Sequence, residues 1–355
     1  MDKVRIGIIG CGGIANSKHL PALSQLPDVE LCAFCDIVEE RAVKAAAEYG
    51  APGAKVFVDY RKLLELDLDV VHVLTPNKQH SFITVDALES GKHVMCEKPM
   101  AINSAEAKKM LDAAKRTGKK LTIGYQNRYR ANSWYLKKLC EAGELGEVYY
   151  ARAQAVRRRA VPTWGVFLDE ENQGGGPLID LGVHVIDLCR YLMGGPQPVS
   201  VYGATFNKLG DRRHIKDARG YSSTVVSKDD IFDVEDMATA LIRFDNGAVL
   251  SVEASFSLNI EKDVGNIELF GTKAGCKLDP ELTIFTDMND YLANVKLAQS
   301  TALSFDGLFD NEINHFVECI ETGKPCRNPA QDGVTLMKIL DGIYESARTG
   351  HEVLL

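Results

Sequence analysis

No stretch of the 355-residue chain approaches the ~20 consecutive apolar residues of a membrane span. Positive charge is also scarce: 41 Lys and Arg stand against 49 Asp and Glu, a formal net charge of −8. That balance excludes the basic domain or stripe that nucleic-acid binding needs. Low-complexity linkers and internal repeats are missing, and composition excludes disorder, a coiled coil and a collagen-like array. No secretory leader is expected either. Met1-Asp2-Lys3 runs straight into Val4–Ile9, which reads as a strand, so a cytoplasmic protein is expected. Nine cysteines, an odd number scattered over a long chain, suit a reducing compartment rather than a disulfide framework. Cys32-x-x-Cys35 lies in the apolar run beginning at Val29. Strand residues three apart point to opposite faces, so the two sulfurs are not expected to meet.

What remains is an ordinary soluble composition, 45% hydrophobic and 25% charged, long enough for two domains or one large α/β unit. Residues 1–124 alternate short apolar runs with helix-like stretches. The runs are Val4–Ile9, Val29–Cys35, Val70–Leu74, His93–Cys96 and Lys120–Gly124, and the stretches are Ile14–Leu26, Val38–Tyr49, His80–Ser90 and Ser104–Thr117. Strand, helix, strand at this spacing builds a doubly wound parallel sheet, and the β-branched, near-continuous runs suit strands buried on both faces. Residues 125–355 read differently. Glu147–Val156, Val199–Phe206, Ala238–Phe244, Ala248–Ser257 and Asn266–Gly271 follow one another, and Asn246-Gly247 marks a hairpin. The expectation is an α+β domain on a large, mostly antiparallel open sheet. Helices at Ser133–Ala142, Pro177–Leu192, Asn311–Thr322 and Gly333–Thr349 should cover one face of it. The polar, charged stretch Asn207–Asp230 is a long loop or an arm ordered by a partner subunit.

The first strand runs into Gly10-Cys11-Gly12-Gly13-Ile14-Ala15, a G-x-G-x-x-A loop opening a helix. The first glycine permits the tight turn and the second lets amides approach a pyrophosphate. The helix N-terminus supplies partial positive charge. The next strand ends in Asp36, 21 residues past Ala15, where a carboxylate accepts hydrogen bonds from adenosine ribose hydroxyls and repels a 2′-phosphate. The cofactor is therefore read as NAD, with NADP the weaker candidate. Arg41 either pairs with Asp36 or accommodates such a phosphate.

Three further groups fall where ligands bind in open parallel sheets, at the carboxyl ends of strands or beyond. Thr75-Pro76-Asn77 with His80 follows one strand, and Glu97-Lys98-Pro99 closes another. A lysine there is either functional or a snorkelling surface residue. On a regular helix at about 100° per residue, Asp180, His184 and Asp187 share one face within about 60°. That face is a solvated polar stripe, a ligand site or a His-x-x-Asp metal pair. No Glu-x-x-His or Cys/His set accompanies it, so no metal is assigned.

These groups, taken in order, make the whole chain resemble the Gfo/Idh/MocA oxidoreductases, named for glucose-fructose oxidoreductase and inositol 2-dehydrogenase. The carriers are Gly10–Ala15, Thr75-Pro76-Asn77 with His80, Glu97-Lys98-Pro99, and Asp180-x-Gly182-x-His184 with Asp187. Asp332-Gly333 through Gly350 is similar to the family's last helix. Alanine replaces the third glycine of the loop. The resemblance implies a Rossmann domain (1–124) and a substrate and oligomerisation domain (125–355). It also implies a sugar, cyclitol or derivative as substrate, and Lys98, Asp180 and His184 as the catalytic set.

Removing a hydroxyl proton as hydride departs suits His184, because an unperturbed imidazole titrates near pH 6.5. Lys98 would stabilise alkoxide character, and Asp180 would orient the imidazole or hold a neighbouring hydroxyl. A base role for Lys98 with His184 as helper fits equally. Asn127, Arg128, Trp164 and His80 are candidate secondary substrate contacts, while Gly10, Gly12, Gly13, Ile14, Asp36, Arg41, Thr75, Pro76, Asn77, His80, Glu97 and Lys98 are candidates for the cofactor. Two other functions stay open: a glycoside-cleaving enzyme that oxidises transiently and eliminates, and a non-catalytic dinucleotide sensor. An open sheet face suggests a homodimer or homotetramer.

Overall fold

A computed structural model describes residues 3–162, 165–209, 232–297 and 307–355. Contacts divide the chain into two compact units, Met1–Tyr129 with Asp306–Val334, and Arg130–Phe305 with Thr335–Leu355. The expected break after Gly124 thus moves a few residues on, and a later segment returns to the first unit. Among the described residues no helix is long and apolar enough to cross a membrane.

The first unit holds six parallel strands: β1 (Val4–Ile9), β2 (Val29–Cys35), β3 (Lys55–Phe57), β4 (Val70–Val73), β5 (His93–Cys96) and β6 (Leu121–Ile123). Their order is β3-β2-β1-β4-β5-β6, so the strand order reverses beside β1. A ligand crevice forms at such a switch point, at the carboxyl ends of the strands. Strand β4 is buried throughout and β1 at every residue but Arg5, as their apolar runs require. The edge strand β3 was not foreseen, because three residues carry no readable period.

The helix Leu308–Thr322 corrects one expectation. It does not cover the second sheet: Leu308, Phe309, Ile313, Phe316 and Val317 join Ala15, Leu20, Leu23, Val70 and Met95 in the core of the first unit. An amphipathic stripe states that a helix covers something apolar, not which sheet it covers. Each fully buried Phe, Leu or Ile there contributes about 1.5–3 kcal/mol of burial.

Among the described residues the second unit carries nine strands: β7 (Val148–Val156), β8 (Pro198–Phe206), β9 (Met237–Phe244), β10 (Val249–Ser255), β11 (Val264–Gly271), β12 (Gly275–Lys277), β13 (Thr283–Met288), β14 (Tyr291–Lys296) and β15 (Val353–Leu354). Their order is β14-β13-β12-β11-β7-β10-β9-β8-β15, and among them only the β7–β10 pair is parallel. The β9–β10 hairpin turns at Asn246-Gly247 as expected. One face packs under helices, among them Val183–Leu192 against β7 and β11. On the other, Tyr202 and Leu241 stand side by side and exposed, and Ser251 separates them from the Arg152–Glu268 ion pair in the same row.

Candidate active site

The dinucleotide loop is shaped by a close approach of backbone. Gly10 has φ +95°, and a Cβ there would lie 2.5 Å from the Leu74 carbonyl oxygen, so only glycine fits beside the end of β4. A Cβ at Gly12 or Gly13 would meet nothing within 4 Å. That open cradle at a helix start fits a pyrophosphate. Asp36 holds the loop from the next strand: Oδ2 accepts from the Cys11 amide at 2.9 Å and Oδ1 from the Val38 amide at 2.9 Å. A carboxylate offers about four lone-pair sites, so two acceptor positions stay open for ribose hydroxyls. Ile14 is half-buried at the helix start. Arg41 is exposed on the next helix and makes no ion pair with Asp36.

The segments after β4 and β5 are neighbours, since Val73 pairs with Cys96. Thr75 and Lys98 each follow their strand by two residues; both are half-buried, as is Asn77, while Pro76 is exposed. Two residues expected to contact ligand are engaged with the protein here. His80 is buried, with Nδ1 2.7 Å from the Pro99 carbonyl oxygen and Nε2 2.7 Å from that of Thr75. Both ring nitrogens face backbone carbonyls, so His80 braces the two loops. Burial lowers its pKa, against the opposing pull of the two carbonyls. Glu97 likewise turns inward. Its Oε1 lies 2.8 Å from His19 Nε2, its Oε2 accepts from the Lys98 amide at 3.1 Å, and His19 Nδ1 lies 3.1 Å from His72 Nδ1. Although burial pushes the carboxyl up, the His19 hydrogen bond and charge, and the Lys98 ammonium, hold it below the usual carboxylate range. Burial pushes the His72 imidazole well down. The sequence reading missed His19 because 78 residues separate it from Glu97.

Arg128 is engaged in the same way. It is buried, with its guanidinium on Asp332 Oδ2 at 3.0 Å and the Arg327 carbonyl oxygen at 2.8 Å, so it ties the returning segment to the first unit. Asn127 is half-buried on the 3₁₀ turn Gln126–Tyr129. Trp164, like residues 210–230 of the charged segment, lies outside the described residues.

In the second unit, Asp180 sits in a π-helical turn, Leu178–Gly182, that passes directly into the helix Val183–Leu192. The dinucleotide loop also opens on a π turn, Ala15–His19. Such turns add a residue to the helical ring, so uniform spacing of about 100° does not describe the step from Asp180 to His184. Gly182 packs its missing side chain toward Ala254 of β10, seating the turn on the sheet. Asp180 and His184 are half-buried, whereas Asp187 is 3% exposed and belongs to the packed side. Among the described residues no group of three His, Cys, Asp or Glu is arranged to hold a metal ion.

Family models decide the identity. The oxidoreductase family's NAD-binding Rossmann fold matches residues 4–125, and its C-terminal alpha/beta domain matches residues 137–355. The chain belongs to the Gfo/Idh/MocA oxidoreductase family. It is an NAD(P)-dependent oxidoreductase, and its relatives include sugar and cyclitol dehydrogenases. D-glucoside 3-dehydrogenase of Escherichia coli (strain K12) is 36% identical over 355 residues, covering 99% of this chain and 97% of that protein. Inositol 2-dehydrogenase of Salmonella paratyphi B is 32% identical over 193 residues, 54% of each chain. Levoglucosan dehydrogenase in complex with NADH and L-sorbose has a TM-score of 0.85 at 25% identity, covering 100% of this chain and 99% of that one.

Proposed function

We propose that this enzyme dehydrogenates a D-glucoside at the C3 hydroxyl with NAD as acceptor. The full-length 36% identity to D-glucoside 3-dehydrogenase carries this reading. The open glycine cradle and the Asp36 carboxylate support the cofactor half of it. Bound NAD supplies the hydride acceptor. Lys98 donates a hydrogen bond to the reacting oxygen, His184 takes the hydroxyl proton, and Asp180 orients the imidazole or an adjacent hydroxyl. Asn127 and Trp164 are further substrate contacts in this reading, with the first unit as the cofactor domain and the second as the substrate domain. Absorbance at 340 nm with methyl glucosides, free hexoses and inositols tests it. NADH should form first with glucosides, giving a 3-keto product. Release of the aglycone without net NADH would instead establish the elimination chemistry.

Asp36→Ala should raise the NAD KM about 10- to 100-fold, the worth of charge-assisted hydrogen bonds to ribose, and should erode discrimination against NADP. Steady-state kcat/KM for both dinucleotides checks it, and unchanged discrimination would overturn the NAD assignment. The exposed Tyr202 and Leu241 face supports a homodimer or homotetramer, which a monomer in sedimentation velocity would refute. Nine free cysteines support a cytoplasmic site, testable by fractionation.

A further inference from the structure

We infer that Glu235, with Tyr344, is a positioning residue that fixes the start of the helix bearing Asp180 and His184. The inference rests on the catalytic assignment of those two residues. Glu235 stands just before β9, 51 residues beyond His184, and none of the motifs that mark the family includes it.

Its side chain is buried and fully engaged. Oε2 accepts from the Gly176 amide at 2.8 Å, while Oε1 accepts from the Leu178 amide at 3.0 Å and from the Tyr344 hydroxyl at 3.0 Å. A helix beginning on a π turn leaves more amides without intrahelical partners than an α-helical start, because each bond reaches back five residues. Pro177 between the two bonded amides has no N–H to satisfy. One carboxylate therefore takes up both donors that flank the proline, and its charge is favoured at the positive end of the helix. Burial pushes the Glu235 carboxyl up, opposed by the Gly176 and Leu178 amides.

The approach is too close for other residues. A Cβ at Gly176 would lie 2.2 Å from the Glu235 carbonyl oxygen, and one at Gly175 would lie 2.0 Å from the Tyr344 hydroxyl. The glycine run before Pro177 is thus shaped for this clamp. The flanking acids work alike on other segments. Asp233 Oδ1 accepts from the Glu170 amide at 2.8 Å, and Asp236 Oδ2 accepts from the Lys208 amide at 2.6 Å and from the Leu209 amide. Residues 233–236 are a backbone-organising strip. Glu235 is its arm to the catalytic helix.

Glu235→Gln keeps the shape but puts an NH2 group against at least one of three donors. Displacements near 1 Å at a reacting group can lower rates by around a hundredfold, so kcat should fall at least about tenfold, and about threefold in the milder Tyr344→Phe. Sugar KM and NAD affinity should stay within about twofold, because the glycine cradle and Asp36 belong to the other unit. The primary isotope effect with a carbon-deuterated substrate should rise as chemistry becomes slower than release. A merely structural role would instead lower the folded fraction and kcat together, with the isotope effect unchanged, and would overturn the inference. Wild-type kcat in folded Glu235→Gln would also overturn it. If that variant does not fold, Tyr344→Phe decides by the same readouts. His184→Ala, run beside them, separates the two levels: full activity there refutes the catalytic assignment, whereas full activity in Glu235→Gln alone refutes only the clamp.

Discussion

Lys98→Met should lower kcat by a factor of about 10²–10³ while NAD still binds, the loss expected when one donor to a developing oxyanion is removed. Methionine keeps the length and apolar character of the stem and deletes only the ammonium. The half-buried side chain begins two residues past β5, in the row of strand ends that also carries Thr75. Its backbone is held from behind by Glu97, so the substitution leaves the loop braced. His184→Ala should cost about 10²–10⁴ in kcat through loss of proton transfer. Protein fluorescence titration should give NAD affinities within a few-fold of wild type for both variants. Normal turnover in either removes that residue from the chemistry. The pH profiles then assign the base: the variant whose kcat no longer falls on the acid side has lost the group that must be deprotonated, and added imidazole should rescue His184→Ala if that group is His184.

The sheet that builds the cofactor crevice was legible in sequence because its strands are buried on both faces, leaving continuous apolar runs that end at the ligand-binding turns. Strands β13 and β14 were not, although Asn289 and Asp290 between them adopt positive φ, the mark of a tight hairpin. Their residues are largely exposed on both faces, so no apolar alternation announces them. The site residues divide in a similar way. Spacing placed the glycine loop, Asp36 and Lys98 just beyond strand ends, and the structure has them there. Spacing does not fix side-chain direction, and the protein partners of His80, Glu97 and Arg128 could not be read from it. The uniform helical wheel drawn through Asp180 and His184 failed for a related reason, since a π turn changes the angular step without leaving a sequence signal.

Glu97→Ala should destabilise the first unit by about 3–5 kcal/mol, the cost of breaking a buried pair by removing one partner. The loss would strand His19 Nε2, which has no solvent access, and leave the Lys98 amide without its carboxylate. For a unit of this size that corresponds to a fall of roughly 10 °C in unfolding midpoint, read by calorimetry. The pH dependence has a definite sign. The folded-state pKa of Glu97 is lowered, so its contribution is fully present above the unfolded value near 4.3 and is lost as pH falls through the folded value. Wild type should therefore lose stability steeply below about pH 4.5. Glu97→Gln keeps the shape, cannot ionise, and should be less stable at pH 7 with a shallower acid limb. The two curves should converge at acid pH, as the wild-type carboxyl itself becomes protonated. Parallel curves for wild type and Glu97→Gln across that range would show that the buried carboxyl is not ionised in the folded protein.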